Sequence, residues 1–373
     1  MTAFTKSIAS AAFCLAMAVS VHSQDQPKSG DESWTTTKEN TEQNVNPSRT
    51  TESHAKSGNR TVDKQRVEVL GPNGGYQPLS ETETEIVQVN DTTTRTVVRS
   101  YQWNANGQRT LAQVTEEESR TSASGNSHIE RKTSGADVNG NFQVIQREVA
   151  DTKKISPGVE ETKSTVYKRD SYGGFSQAEQ TQERKTQGAD DSVAVQKTTL
   201  KPDGNGSWKV SGVTEKTVKN DGQDRTTEER VLRPDLDGTL HEGPRTVSKE
   251  QQTTTGEKRS TVETYDGGTE LSKRVTTVRK KNSSGEITEE QVEQPNLGNP
   301  SDGTKVTGRA KYVVKYAAPG SPQAPATQQS KTVEIRDANG NYHVVTVETQ
   351  KSTQPPAQQT QAPPKQDAPV PKP

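Results

Sequence analysis

Glycines recur along the chain at a nearly constant spacing, and this period constrains the fold more than any other feature. They are separated by 33, 33, 33, 33 and 32 residues, at Gly74, Gly107, Gly140, Gly173, Gly206 and Gly238. An Asn or Asp precedes most of them. Asn-Gly is the preferred pair of a two-residue type I′ turn, because both central residues need a positive φ. The period therefore predicts tandem β-hairpin repeats of about 33 residues.

A second glycine series lies between the members of the first. Its members stand in polar clusters that are typical of looser turns, at Gly125, Gly158, Gly188, Gly222 and Gly256. Two turns in each repeat leave strands of about 12 residues, or roughly 40 Å of extended chain. The fold class predicted is all-β, with the hairpins forming an extended antiparallel meander sheet between disordered N- and C-terminal segments.

The composition is too polar for one large core. Apolar residues make up 25% of the chain, and 48 Lys and Arg nearly balance 49 Asp and Glu. Interspersed charges of both signs exclude the concentrated basic face of a nucleic-acid-binding protein. Simple alternation puts Phe142 and Val144 on one face of a strand, with Ile145 and Val149 on the other. We therefore expect a sheet that is solvated on both sides rather than a compact barrel, and the lack of an apolar band disfavours an outer-membrane barrel.

The N-terminal residues are typical of a secretory signal peptide. Lys6 supplies the positive charge, Ile8 to Val21 is largely apolar, and Ser23 precedes the expected cleavage site. Cys14, the one cysteine, lies within this segment, so the mature part would have no disulfide. The predicted organisation is a signal peptide at 1–23, a disordered leader at 24–60, the hairpin array at 61–316, a Pro/Ala/Gln linker at 317–330, a terminal hairpin at 331–350 and a disordered Pro/Gln-rich tail at 351–373.

No catalytic, cofactor or metal site is predicted. His54, His128, His241 and His343 are scattered without a ligand spacing. Segments such as Asp203-Gly204-Asn205-Gly206 resemble fragments of a calcium loop but lack its distal Glu, and turn chemistry explains their composition. One column of residues remains as a candidate site because it could stack on a glycan or could instead pack over the turns: Tyr76, Phe142, Phe175, Trp208 and Tyr342.

These observations favour an exported, non-enzymatic structural or interaction protein, a hairpin scaffold or spacer of a bacterial cell envelope or the extracellular space. It would be secreted, periplasmic or on the cell surface after cleavage. Two alternatives stay open, a carbohydrate- or cell-wall-binding module that uses the aromatic column and a largely disordered secreted chain. The expected partners are an envelope or extracellular polysaccharide, or a second copy that pairs through the exposed first and last strands. Neither nucleic acid nor a transmembrane anchor is expected.

Overall fold

A computed structural model describes residues 32–40, 46–104, 106–136, 141–188, 190–253, 256–267, 269–282, 285–298, 303–315 and 327–353. The chain divides into two units, Met1–Gly30 and Asp31–Pro373, and the described residues belong to the second. The predicted signal peptide at 1–23 lies outside the described residues, as do most of the predicted linker and most of the predicted tail. No helix in the described segments is long and apolar enough to cross a membrane.

Twenty β-strands make up the described part of the chain. In chain order they are β1 Glu32–Asn40, β2 Ser48–Ser57, β3 Arg60–Leu70, β4 Tyr76–Asn90, β5 Thr93–Trp103, β6 Arg109–Thr121, β7 Ser127–Ala136, β8 Phe142–Ser156, β9 Val159–Arg169, β10 Phe175–Gln187, β11 Val193–Pro202, β12 Trp208–Asp221, β13 Asp224–Pro234, β14 Leu240–Gln252, β15 Lys258–Asp266, β16 Glu270–Asn282, β17 Gly285–Pro295, β18 Thr304–Lys315, β19 Thr327–Arg336 and β20 Tyr342–Thr353.

The all-β antiparallel meander predicted from the glycine period is confirmed, but the extended open sheet is wrong. Each strand pairs antiparallel with the next, and β1 pairs with both β2 and β20, which closes the sheet into a barrel. The first and last strands are therefore not exposed edges. In an open sheet the outer N–H and C=O groups of the first and last strands would stay unpaired and could promote association or aggregation; closure pairs these groups with each other.

A β-bulge repeated in the even-numbered strands explains the curvature. The register shifts by one residue near the start of these strands, for example between Gln177 and Glu179 in β10 and opposite Thr199 and Leu200 in β12. A bulge bends its strand and increases the local twist, and a bulge repeated around a sheet is a means of closing it. The bulge in β8 also reverses the alternation, so that Val149 lies on the same face as Phe142, contrary to the sequence prediction.

The turns differ from the predicted two-residue type I′ turns. The connections that follow odd-numbered strands mostly contain five residues, as in 203–207 between β11 and β12. In that turn the N–H of Asp203 donates to the carbonyl of Ser207, and only the glycines have a positive φ, 84° at Gly204 and 85° at Gly206. A type I′ turn would also need a positive φ at Asn205, so this connection differs from the predicted turn. In 235–239 only Gly238 has a positive φ, 90°, and a type I turn closed by a left-handed residue accounts for that geometry.

Two-residue turns occur instead at the other end of the barrel. Gly58-Asn59 joins β2 to β3, and Gly222-Gln223 joins β12 to β13. Their first residues have φ of 58° and 61°, as a type II′ turn requires. We call the end that holds the connections from odd- to even-numbered strands the loop rim, and the other end the opposite rim. Looser turns were predicted at the second glycine series, but part of that series, for example Gly222, stands in these two-residue turns, which are tighter than those of the loop rim.

The predicted terminal segments also differ from the structure. The disordered leader at 24–60 contains two strands, β1 and β2, which pair with each other over nine residues. Both are rich in Ser and Thr, whose side chains suit a pleated surface once partners lie on both sides. The linker assigned to 317–330 gives way to β19 at Thr327, and β20 extends the terminal hairpin to Thr353.

Both faces of the barrel wall carry charges near the middle of the strands. On the face shared with Trp208, Arg230 lies 2.6 Å from Glu215 on the neighbouring strand. On the other face Arg131 contacts Glu117 at 2.6 Å and Glu148 at 2.7 Å. The buried apolar residues among the described ones are few and are divided between the two faces: Val97, Val213, Val218, Val247 and Ala310. The wall is therefore held by strand pairing and cross-strand contacts rather than by a core.

Candidate functional site

The five residues of the predicted aromatic column come together at one end of the barrel. Each is the first residue of an even-numbered strand and follows a connection at the loop rim, and the pairing register puts all five on one face, which we call the aromatic face. The column comprises Tyr76, Phe142, Phe175, Trp208 and Tyr342. Its members belong to different hairpins, and the antiparallel pairing of successive strands brings them to a common rim.

Four further aromatic residues lie on the same face near the same rim. They stand at or near the ends of odd-numbered strands: Tyr101, Trp103, Tyr167 and Tyr265. From the sequence, only Trp103 was suggested to belong with the column, in the place that Arg109 vacates; the other three were not assigned because they precede the turn glycine rather than follow it. Trp103 is paired directly with Arg109, the residue that interrupts the aromatic column, so this hairpin keeps an aromatic ring at the rim on the partner strand. Together with the column they form the aromatic rim.

Arginine side chains lie over several of these rings, each from the next strand but one in the sheet. The guanidinium carbon of Arg147 lies 4.5 Å from the ring centre of Phe175, and that of Arg309 lies 4.3 Å from the ring centre of Tyr342. Arg49 covers Tyr76 at 4.6 Å in the same way. A guanidinium at this distance is attracted by the ring quadrupole, with about 0.5–1 kcal/mol for an exposed pair. The arginines therefore support a packing role for part of the rim.

The rings nevertheless remain partly accessible. Phe142 keeps 44% of its surface exposed, and the other four members of the column are half-buried. A groove of about 650 Å³ adjoins the rim on the aromatic face, between β15 and β19. Arg309 lines this groove while also covering Tyr342, and Glu289 and Glu293 bring the opposite charge to the same wall. Such a surface matches a polar polymer with flat rings that can stack on aromatic side chains better than it matches a small apolar ligand.

Aspartates of the loop rim act as turn anchors. The Oδ1 atom of Asp203 accepts the backbone N–H groups of Asn205 at 2.9 Å and Ser207 at 3.1 Å. The backbone hydrogen bond from Asn205 lowers the pKa of Asp203 below its usual value. Hydrogen bonds with Asp237 and then His241 lower the pKa of Asp235 to about 2. The carboxylates considered as fragments of a calcium loop thus bind their own backbone.

The four histidines of the described segments lie apart from one another, each beside an aspartate. His54 contacts Asp63 at 2.6 Å, and His343 contacts Asp337 at 2.8 Å. His128 has Asp151 at 2.7 Å from Nδ1 and Glu130 at 3.3 Å from Nε2. With both ring nitrogens directed at carboxylates, His128 is not arranged to activate a hydroxyl nucleophile. Within the described segments no group of three or more His, Cys, Asp or Glu residues is placed to hold a metal ion.

Comparisons with known proteins add little to this geometry. No protein-family model matches the chain, and no curated protein matches it. Among solved structures, the outer membrane protein opdK of Pseudomonas aeruginosa is 6% identical with a TM-score of 0.40, and the similarity covers 87% of this chain and 99% of that one. A BenF-like porin of Pseudomonas fluorescens Pf-5 is 9% identical with a TM-score of 0.36, covering 87% and 98%. Likenesses this weak support no inference about function or location.

Proposed function

We propose that this chain is an exported, non-enzymatic scaffold of the cell envelope or the extracellular space, a barrel whose wall is in contact with water on both faces. The observation that carries the proposal is the placement of charges near the middle of strands on both faces, with Arg230 on the aromatic face and Arg131 on the other. An Arg or Lys on the lipid-facing side of a barrel costs about 2–4 kcal/mol at the bilayer midplane. Neither face could meet lipid without several such costs.

The proposed mechanism is geometric. A twenty-stranded wall is too wide for its own side chains to fill, so the barrel presents a large curved surface rather than a packed interior. Cross-strand ion pairs and ladder hydrogen bonds would keep that surface rigid, and the aromatic rim would offer a distinct contact zone at one end. The Pro- and Gln-rich composition of the tail suits attachment to other envelope components.

Fractionation tests this proposal. The full chain would be expressed with its own leader in a Gram-negative host, and the periplasm, medium and outer membrane would be separated. We expect the protein in the periplasm or medium, recoverable without detergent, and absent from liposomes after flotation. Recovery only from the outer membrane with detergent, together with conductance in a planar bilayer, would refute the water-exposed barrel and support a channel.

Glycan binding at the aromatic rim is a second candidate function, favoured by the concentration of rings on one face of one rim. The test is retention on insoluble cellulose, chitin and peptidoglycan. Trp208→Ala should weaken retention, whereas Trp34→Ala should not, because Trp34 stacks on His54 near the opposite rim and on the other face. Equal retention of both variants, or none for the native chain, would remove this candidate.

A further inference from the structure

The turn at 203–207 differs from the other Asn-Gly turns of the loop rim in one hydrogen bond. In three of those turns the glycine amide donates to the carbonyl three residues earlier: Gly74 to Gly71 at 3.0 Å, Gly107 to Asn104 at 2.9 Å and Gly340 to Asp337 at 3.1 Å. The equivalent amide of Gly206 has no acceptor among the residues that the structure describes. A fifth pair, Asn139-Gly140, lies outside the described residues. The amide of Gly206 is therefore available to solvent.

A second glycine in the same turn accounts for the difference. Gly204 has a φ of 84°, whereas Ala338, which holds the same place in its own turn, does not have a positive φ. Glycine adopts this conformation readily because it has no Cβ. It changes the direction of the peptide groups that follow, so Asp203 closes the turn through its hydrogen bond with Ser207 at 2.9 Å and not through one with Gly206.

The surroundings of this amide are open. Asn205 and Gly206 are both exposed, and a Cβ placed on Gly206 would meet no atom within 4 Å. The carboxamide of Asn205 makes no hydrogen bond within the described segments, while its own backbone N–H is held by Asp203 at 2.9 Å. The side chain of Asn205 can thus turn back onto the amide nitrogen of Gly206 without breaking a contact.

We propose that Asn205 is a site of spontaneous deamidation, with water as the only co-reactant. The amide nitrogen of Gly206 gives up its proton and forms a bond with Cγ of Asn205, and the Cγ–Nδ2 bond breaks as ammonia leaves with that proton. The product is a cyclic succinimide. Water then adds to one of its two carbonyls and breaks the bond from that carbon to the ring nitrogen, which leaves aspartate or isoaspartate. The other three glycine amides must first lose a hydrogen bond, so their asparagines react more slowly.

The reaction changes the loop rim at a defined place. It adds a carboxylate three residues before Trp208 in the aromatic rim and close to Asp203, whose oxygen binds the backbone of Asn205. Two negative groups this close repel each other, which weakens the anchor of the turn. The isoaspartate product also adds one carbon to the backbone of the turn that joins β11 to β12. The deamidated chain therefore carries an altered turn beside the aromatic rim.

Peptide mass spectrometry of the purified full chain tests the proposal. One sample is incubated folded and another in guanidinium chloride, and both are digested with trypsin after increasing times. The tryptic peptide Thr198–Lys209 contains Asn205 as its only asparagine, and its acid form is distinguished from its amide form by mass. In the folded chain Asn205 should react about fivefold faster than Asn73, Asn106 or Asn339, the factor expected for one backbone hydrogen bond. In guanidinium chloride all four should react at similar rates.

The variant Gly204→Ala tests the cause. Alanine disfavours the positive φ at 204, so the amide of Gly206 should gain the missing hydrogen bond, and the rate at Asn205 should fall to that at Asn339. The matched control is Gly58→Ala, the same change at a φ of 58° with no atom within 4 Å, on the opposite rim; it should leave the rate at Asn205 unchanged. A rate at Asn205 in the folded chain no higher than those of the other three asparagines would overturn the proposal. So would an unchanged rate in Gly204→Ala with a native circular dichroism spectrum.

Discussion

The ion-pair cluster around Arg131 offers the sharpest test of how this wall is stabilised. Arg131 lies on β7 between Glu117 on β6 and Glu148 on β8, so that one guanidinium joins three strands. Its Nε and Nη2 atoms donate to Glu117 at 2.9 and 2.6 Å, and its Nη1 atom donates to Glu148 at 2.7 Å. A fork directed at two carboxylates is a geometry that lysine cannot reproduce.

The expected cost of Arg131→Gln follows from these contacts. Each opposite-charge pair between strands contributes about 0.2–1 kcal/mol, and partial exposure of the arginine, 39%, places the two pairs in the lower half of that range. Removing the cation also leaves Glu117 and Glu148 without the charge between them. We expect a loss of about 1 kcal/mol, which for a large domain lowers the midpoint of thermal unfolding by roughly 2–4 °C.

Thermal melts followed by circular dichroism measure this loss, with two comparison variants. Arg131→Lys keeps the charge but loses the fork, so its midpoint should fall between those of the native chain and Arg131→Gln. Arg184→Gln removes a longer single contact of 3.5 Å to Glu161, with the arginine 61% exposed, and should change stability by less than about 0.5 kcal/mol. Equal midpoints for Arg131→Gln and Arg184→Gln, or a difference that persists in molar salt, would refute the argument.

Three further predictions concern one turn and two titrating groups. Gly206→Ala should destabilise the fold by about 1 kcal/mol in thermal melts, because φ there is 85° and no atom lies within 4 Å of an added Cβ, so backbone strain alone acts. The hydrogen bond with Asp151 raises the pKa of His128 above 6.5. The contribution of this contact to the stability of the fold is therefore present below pH 6.5 and is lost as the pH rises through the raised pKa. Asp151→Asn should return the pKa of His128, measured by NMR, toward 6.5. Hydrogen bonds, the largest from Arg99, lower the pKa of Glu85 below 4.5. The contribution of Glu85 to the stability of the fold is therefore present above pH 4.5 and is lost as the pH falls through the lowered pKa. Glu85→Gln should flatten that part of an acid unfolding curve.

The sequence predicted the hairpins well because turns are encoded locally. The strand pairs on either side of Gly173 and Gly206 have the predicted order, direction and period. The predicted turn type was wrong because a side chain outside the Asn-Gly pair also binds the backbone of the turn. The carboxylate of Asp203 accepts two backbone N–H groups, which holds a five-residue turn in which Gly204 and Gly206, but not Asn205, have a positive φ. An Asn-Gly pair alone does not reveal that anchor.

The ends of the chain were harder to predict because their strands lack the glycine period. β1 is a polar strand with no turn signal of its own, and its register is set by neighbours on both sides, Ser48–Ser57 and Tyr342–Thr353. A Thr-rich segment in isolation cannot bury enough apolar surface to order itself. Hydrogen bonding to a strand on each side orders β1, and one of these strands, β20, lies more than 300 residues away in the sequence. No local pattern carries that information.

The aromatic rim and the closure of the barrel share one cause that alternation cannot detect. A bulge near the start of β8 or β10 shifts the parity of every residue after it, so counting by twos assigns Val149 to the wrong face. The same bulge bends each hairpin by a small amount in the same sense, and a meander of identical bends must curve toward its own first strand. Whether the edges meet depends on the number of hairpins, a property of the whole chain. The repeat therefore encodes the curvature, while the repeat count decides whether β1 reaches β20.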